Sequence, residues 1–310
     1  MRFFRRPSEE QRAAAEQERE RDARSLAALQ AGALPLRAQE RLARQAASGA
    51  RPALWTSDLS VGEFLSTRTL RFEALGQVLG ASIYHIAYNV SQFQSPYSAE
   101  LSFFSQALYE ARDRALGRLR QEAAALGAHG VVGVRLEHKA YEWGANLLDF
   151  TAIGTAVHLP GAAPLKRLFL SDLSGQELLT LLRAGYVPVD IALGCCAYYV
   201  ITWAKRFQSR ELPDFTEAVY QARHLALSRM ASEARQVGAH GIVGSNLHLR
   251  VHEVGAGRFH DKSIQDHVIE FAAVGTAVAT IKGGHHAVDI PLVLDVGQPS
   301  AAGHQLLAGR

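Results

Sequence analysis

Cysteine is almost missing from this chain: its 310 residues include two, Cys195 and Cys196, and these are neighbours. Adjacent cysteines bridge each other only with strained geometry. No disulfide framework is therefore expected, and the pair suits a reducing, cytoplasmic setting. Long hydrophobic runs are missing as well. The most apolar stretch, residues 191–204, is fourteen residues long, short of the ~20 that a membrane-crossing helix needs, and reads as a buried element. The opening MRFFRRP is basic, but a charged run follows where the apolar core of a secretory signal belongs, so no such signal is expected. A large excess of one charge is also lacking. The net is +3, made of +4 over residues 1–53 and −1 over the remainder. Arg2, Arg5 and Arg6 with Phe3 and Phe4 form a small basic-aromatic cluster of the kind that touches nucleic acid or an anionic membrane. Nothing else supports either partner, and neither is expected.

Catalytic signatures are missing too. The chain has no G-x-S-x-G elbow. Its glycine-rich GAHGVVG, Gly127–Gly133, lacks the G-K-[ST] ending of a phosphate loop and precedes a strand where a P-loop or Rossmann turn needs a helix. The expectation is a protein that is not an enzyme.

What the chain does contain is a repeat. Residues 109–133 read YEARDRALGRLRQEAAALGAHGVVG and residues 220–244 read YQARHLALSRMASEARQVGAHGIVG, at a constant offset of 111. Each copy runs helix, glycine turn, strand. Leu101, Phe104, Leu108, Ala111, Ala115, Leu119 and Leu126 recur every three or four residues and make one apolar stripe. Arg112, Arg118 and Glu122 fall on other faces and return as Arg223, Arg229 and Glu233. Gly127 and Gly238 sit where a left-handed C′ residue is cheapest as glycine. The period is far above that of stacked solenoid repeats, so a duplicated domain is the better explanation.

In chain order, residues 1–53 are rich in Ala, Arg, Glu and Gln and predict a solvent-exposed, partly frayed helical extension broken near Gly32–Pro35. Its apolar positions are mostly alanine, leaving little to bury; it reads either as a tail or as an arm for a protein partner. A first domain spans 54–160, a linker 161–167, a second domain 168–282 and a tail 283–310. TSDLSVGEFL (Thr56–Leu65) matches LSDLSGQELL (Leu170–Leu179); Ser57-Asp58 and Ser171-Asp172 read as a turn and helix N-cap, with Glu63 and Glu177 in the first turns. A strand over 77–90 corresponds to one over 186–202. The strand 131–143 places Val132, Val134, Leu136 and Ala140 on one face and Arg135, Glu137 and Lys139 on the other. Gly144-Ala145-Asn146 suits a hairpin turn, and AIGTAV (Ala152–Val157) returns as AVGTAV (Ala273–Val278) at an offset of 121. Ten residues are therefore inserted in the second hairpin, between Val254 and His267.

This order of motifs resembles the YbjQ-like family, whose usual label is "putative heavy-metal-binding domain". GAHGVVG with IGTAV (Ile153–Val157), and GAHGIVG with VGTAV (Val274–Val278), carry the resemblance over about 54–160 and 168–282. It implies an α+β fold, dodecin-like or YbjQ-like: two tandem β-α-β-β domains, each with one long helix on an antiparallel sheet. It also implies assembly with copies of itself into a pentamer, in which five chains give two stacked, pseudo-equivalent rings. The residues point the same way. One helix covers one sheet face and leaves the other in need of a neighbour. Tyr84, Ile86 and Tyr88 in the first domain and Tyr198, Tyr199 and Ile201 in the second lie on strands apolar on both faces, which suits an intersubunit or interdomain interface.

The alternative is a metal-binding protein that uses second-domain histidines. His248 and His252 share a strand face, and His260 and His267 of the inserted hairpin lie within reach in sequence; Cys195 and Cys196 would suit a soft ion. A divalent or soft metal ion is the one cofactor these residues suggest. Against it, no C-x-x-C, no H-E-x-x-H and no close His/Cys set of standard spacing occurs, and Arg250 stands between His248 and His252. His129 and His240 occupy one repeat position in the helix-to-strand turn. They read either as imidazoles bonding helix-end carbonyls or as ligand contacts lining a ring.

Overall fold

The structure, a computed structural model, describes residues 9–47, 55–85, 97–140, 147–163, 165–203, 211–253 and 264–281. Ile86, Tyr88 and His260, the turn 144–146, the middle of the inserted hairpin, the N-terminal basic cluster and the tail 283–310 lie outside the described residues. Two α+β repeats follow an N-terminal pair of helices. The first comprises α3 (Val61–Thr69), β1 (Glu73–His85), β2 (Ala99–Glu100), α4 (Ser102–Ala125), β3 (Gly130–Ala140) and β4 (Leu147–His158). The second comprises β5 (Phe169–Leu170), α5 (Gly175–Arg183), β6 (Tyr186–Trp203), α6 (Pro213–Gln236), β7 (Gly241–Glu253) and β8 (Ile264–Thr280).

The sheets are not confined to their own repeats. The first has the order β1-β4-β3-β5 and the second β2-β6-β8-β7. Each repeat thus lends a two-residue strand to the other. The layers are first sheet, α4, second sheet, α6. Val78, Leu119, Ala123 and Ala152 pack α4 on its own sheet. Leu108, Ala111 and Ala115 of the same helix also meet Leu193 and Cys195 of β6. Alanine on the buried faces lets helix and strand approach closely. Glycine completes the fit at Gly80, where a Cβ would stand 1.9 Å from Ala115 O, and at Gly194, where it would stand 1.8 Å from Ala226 O. These glycines are 114 apart and the helices 111, so three residues of difference fall between first strand and long helix.

Three expectations need correction. The N-caps of α3 and α5 are Ser60 and Ser174, each in a capping box with Glu63 or Glu177, not Ser57-Asp58 and Ser171-Asp172. Those residues bind the GTAV strand. The Ser57 and Ser171 hydroxyls lie 3.1 and 3.2 Å from the Thr155 and Thr276 hydroxyls, and the Asp58 and Asp172 N–H groups donate to the same oxygens. The alternation expected in β3 is broken by a bulge between Val132 and Arg135 with Gly133 at φ 61°. An extra residue reverses the faces. Val131 and Val134 therefore face α4, and Val132 packs behind with Phe72 and Leu178. Gly244, at φ 64°, repeats the bulge in β7.

The extension is the third case. It forms α1 (Glu9–Gln30) and α2 (Leu36–Ala47), broken at the expected place. No residue of α1 is buried, but Leu34 and Leu42 are, and the pair docks on the first repeat of its own chain.

Candidate assembly interface

The junction between the repeats is where buried charge concentrates. Along β6 the outward N–H groups belong to an edge strand and need acceptors. Leu193 N–H donates to Glu233 Oε2 of its own repeat at 3.0 Å. Ile191 N–H donates to Asp190 Oδ1 at 2.9 Å, and the first repeat supplies three more acceptors: Tyr109 OH accepts from Cys195 N–H (2.9 Å), Ser105 Oγ from Ala197 N–H (3.0 Å) and Ser98 Oγ from Ile201 N–H (3.3 Å). β2 pairs beside them, with Ala99 opposite Tyr199 and Glu100 opposite Tyr198. Two ion pairs clamp this ladder. Arg112, buried on α4, reaches Glu233 on α6 at 2.7 Å. Arg229 on α6 forks onto Glu100, at 2.6 and 2.8 Å, the bidentate geometry that makes such pairs strong. Arg120 and Arg167 close on buried Asp190.

The second repeat answers with β5. It runs parallel to β3, Phe169 opposite Gly130 and Leu170 opposite Val131. A Cβ on Gly130 would fall 2.3 Å from the Phe169 ring, so glycine is what lets the ring lie on the strand. Phe72, Leu70 and Leu59 then meet Phe169, Leu178 and Leu182 in a small shared core.

The charges respond to these settings. Burial works against the Arg112 charge, but Glu233 and Asp113 outweigh it and hold its pKa above the ordinary value. Burial would raise Glu100, yet hydrogen bonds from Arg229 and Ser105 prevail and lower it. Arg229 is raised, chiefly by Glu100. Its first-repeat counterpart Arg118 is lowered, by burial first and Arg114 second. Same residue, same helix position, opposite shift: among the described residues no carboxylate faces Arg118, and its Nε is buried without a hydrogen-bond partner.

The residues singled out from sequence are distributed as follows. Tyr199 and Ile201 join Leu101, Phe103 and Phe104 at the junction. Tyr198 packs against α6 with Phe215, while Tyr84 packs against α4 and donates to Glu110 at 2.5 Å. His129 Nδ1 accepts from Leu159 N–H and His240 Nδ1 from Thr280 N–H, both at 3.1 Å. Neither binds a helix-end carbonyl; His158 reaches that of Gly127 instead. Arg112, Glu122 and Glu233, which spacing set on faces other than the apolar stripe, are the functional groups whose burial spacing did not reveal. They repeat in both copies, which was the available signal.

A metal fits poorly. Residues four apart on a strand are ~13 Å apart along it, so His248 and His252 cannot share one ion. His252 lies 3.2 Å from Glu270, and His267 packs edge-on against Phe215. Cys195 and Cys196 point to opposite sheet faces, one into the junction and one toward α6. Burial pushes both thiols up to about 12, away from the thiolate that a metal needs. Among the described residues no group of three or more His, Cys, Asp or Glu could hold an ion. Nor is any described helix long and apolar enough to cross a membrane.

Comparison with known proteins agrees with this architecture. An encapsulin nanocompartment protein of Mycobacterium tuberculosis is 38% identical over 241 residues, covering 74% of this chain and 87% of that protein. A UPF0145 protein of Halobacterium salinarum is 34% identical over 104 residues, 31% of this chain and 98% of that protein. Another, of Mycobacteroides abscessus, is 41% identical over 86 residues, 26% of this chain and 78% of that one. Both UPF0145 proteins match a piece about one repeat long. The family described as "Putative heavy-metal-binding", of YbjQ type, matches residues 70–160 and again 201–281. The chain belongs to that family and carries its domain twice.

Proposed function

We propose that this protein is a non-enzymatic building block that joins head to tail with copies of itself, through the same junction that unites its two repeats, as a component of a cytoplasmic nanocompartment. One observation carries the reading. The junction is heterologous, the α4 side of one repeat against the β6 side of the other. Each chain therefore has one α-side and one β-side left over. The leftover β-side is apolar where its counterpart is covered. Leu79 and Ile83 of β1 are 45% and 63% exposed, whereas Leu193 and Ala197, 114 residues on, are 2% and 0% exposed. The leftover α-side carries the matching donors and acceptors. Thr216, Tyr220 and Arg223 stand where Ser105, Tyr109 and Arg112 stand in the first repeat, and Tyr220 is exposed. Thr216 donates to Glu211 at 3.0 Å, as Ser105 does to Glu100. Gly241 lies open, with nothing nearer to its would-be Cβ than 3.8 Å, and Trp55 of a second copy corresponds to the Phe169 that covers Gly130.

The name of the Mycobacterium tuberculosis relative supports the compartment. Joined head to tail through this junction, first and second repeats would alternate around a single ring, in place of the two stacked rings that the resemblance implies. Five chains, the number the resemblance implies, would then supply ten positions. Light scattering on the purified protein tests this. A mass near five chains is expected, and a monodisperse monomer at micromolar concentration would sink the reading.

A further inference from the structure

The N-terminal arm sits on ground that the repeat assigns to a second copy. On α6, Arg229 and Glu233 bind the first repeat through Glu100 and Arg112, and Ser232 between them lines the same crevice. The counterparts on α4 are Arg118, Gln121 and Glu122, and the arm holds all three. Arg118 donates to Leu29 O (3.4 Å), Gln121 to Gly32 O (3.0 Å), and Arg41 reaches Glu122 at 2.6 Å. Gln45 adds a bond to Leu75 O at 2.9 Å, beside the start of β1. Arg41 thus does for Glu122 what Arg112 does for Glu233.

The two occupancies differ in strength. The inter-repeat junction combines a bidentate ion pair, a buried arginine and strand pairing. The arm offers one half-exposed ion pair, three bonds between side chains and backbone carbonyls, and two buried leucines. Arg118 is left with an unmet donor that a carboxylate would satisfy, and Glu211 is the residue that pseudo-symmetry brings to it.

We propose that the arm, residues 9–47, reversibly covers the surface of the first repeat on which Glu211 and Arg223 of a second copy dock, and that it lifts when chains join. This rests on the head-to-tail reading above. The full-length chain carrying Arg41→Glu and Leu42→Ser loosens the arm by repelling Glu122 and removing an apolar anchor. Sedimentation across concentration should then show half-association at least tenfold lower than for the parent. Arg223→Glu, placed opposite Glu122, should raise that midpoint in both backgrounds. Hydrogen exchange adds a second readout: amides of α2 should lose protection in the assembled parent. An unchanged midpoint in the loosened chain, or an α2 that stays protected after assembly, overturns the arm's role alone if Arg223→Glu still weakens association. An Arg223→Glu variant that associates like the parent overturns the docking surface and the arm's role together.

Discussion

Replacing Glu233 with Gln measures what the inter-repeat junction contributes. Glu233 Oε1 receives Arg112 and Oε2 receives Leu193 N–H. Glutamine keeps an acceptor for the amide, so the change isolates the ion pair. Arg112 is left buried with Asp113, an exposed residue on its own helix. Its Nη1 already lacks a hydrogen-bond partner among the described residues. Breaking a fully buried pair costs about 3–5 kcal/mol. Glu233 is 29% exposed, so water recovers part of that and about 2–3 kcal/mol remains. For a chain of this size that lowers Tm by about 3–5 °C. Glu122→Gln is the control. It removes the same carboxylate from the other helix, where the Arg41 partner is 42% exposed, and should cost below about 1 kcal/mol. Calorimetry at pH 7 on dilute, unassociated protein reads both. Equal shifts for the two variants would show that the junction is no more stabilising than the arm's half-exposed pairing.

Other outcomes follow from single contacts. Gly194→Ala puts a methyl against the Ala226 carbonyl and should lower stability by about 3 kcal/mol or more. Gly238→Ala, at φ +75° with open space around it, should lower it by only about 1 kcal/mol; similar urea midpoints would refute the close packing of α6 on β6. Glu100 has a folded pKa below its ordinary 4.5. Its stabilising effect is therefore complete above that value and fades as pH falls through the lower, folded one. Melting temperatures of the parent and Glu100→Gln should differ near pH 7, and the gap should narrow as pH falls below 4.5 and through the lower folded pKa; a constant gap refutes the pairing with Arg229. Elemental analysis of protein purified without a histidine tag should find less than one metal per chain. A stoichiometric ion that disappears in His248→Ala/His252→Ala would restore the metal reading.

The duplication, the helix-turn-strand order and the glycine C-caps were legible because period and turn chemistry are local. Both bulges were not. Gly133 reads as another strand residue until its positive φ is seen, and that one extra residue turns Val132 away from α4. Spacing placed Arg112 and Glu122 off the apolar stripe but did not show that those faces are covered. In this chain the second sheet and the arm cover those faces, and no periodicity within α4 records what packs on its far side. Leu34 and Leu42 were passed over for the same reason: two leucines among alanines make a weak stripe, yet both are buried because the arm returns to its own first repeat.

The two copies differ in the way that a head-to-tail contact requires. Within the chain the strand side of the junction was free to change its packing residues, since its two halves are covalently joined: Ile191, Cys195 and Ala197 stand where the first repeat has Gln77, Ala81 and Ile83. The facing helices diverged in step, with Ser105 against Thr216 and Glu110 against Gln221. The hydrogen-bonding and charged positions held instead. Tyr109, Arg112, Arg118 and Glu122 recur as Tyr220, Arg223, Arg229 and Glu233, and Glu100 recurs as Glu211. A helix face that met only water would gain nothing from holding these five groups in register with the acceptors and donors of a strand edge. Arg229 and Glu233 are engaged within the chain; the retention of Glu211, Tyr220 and Arg223 at the start of α6, where the chain itself supplies no such edge among the described residues, is what a surface shaped for another copy of β1 would look like. It also accounts for an arm that binds Glu122 and a backbone rim in place of building an apolar seal. A cover that must come off is better made of a few polar contacts than of a core.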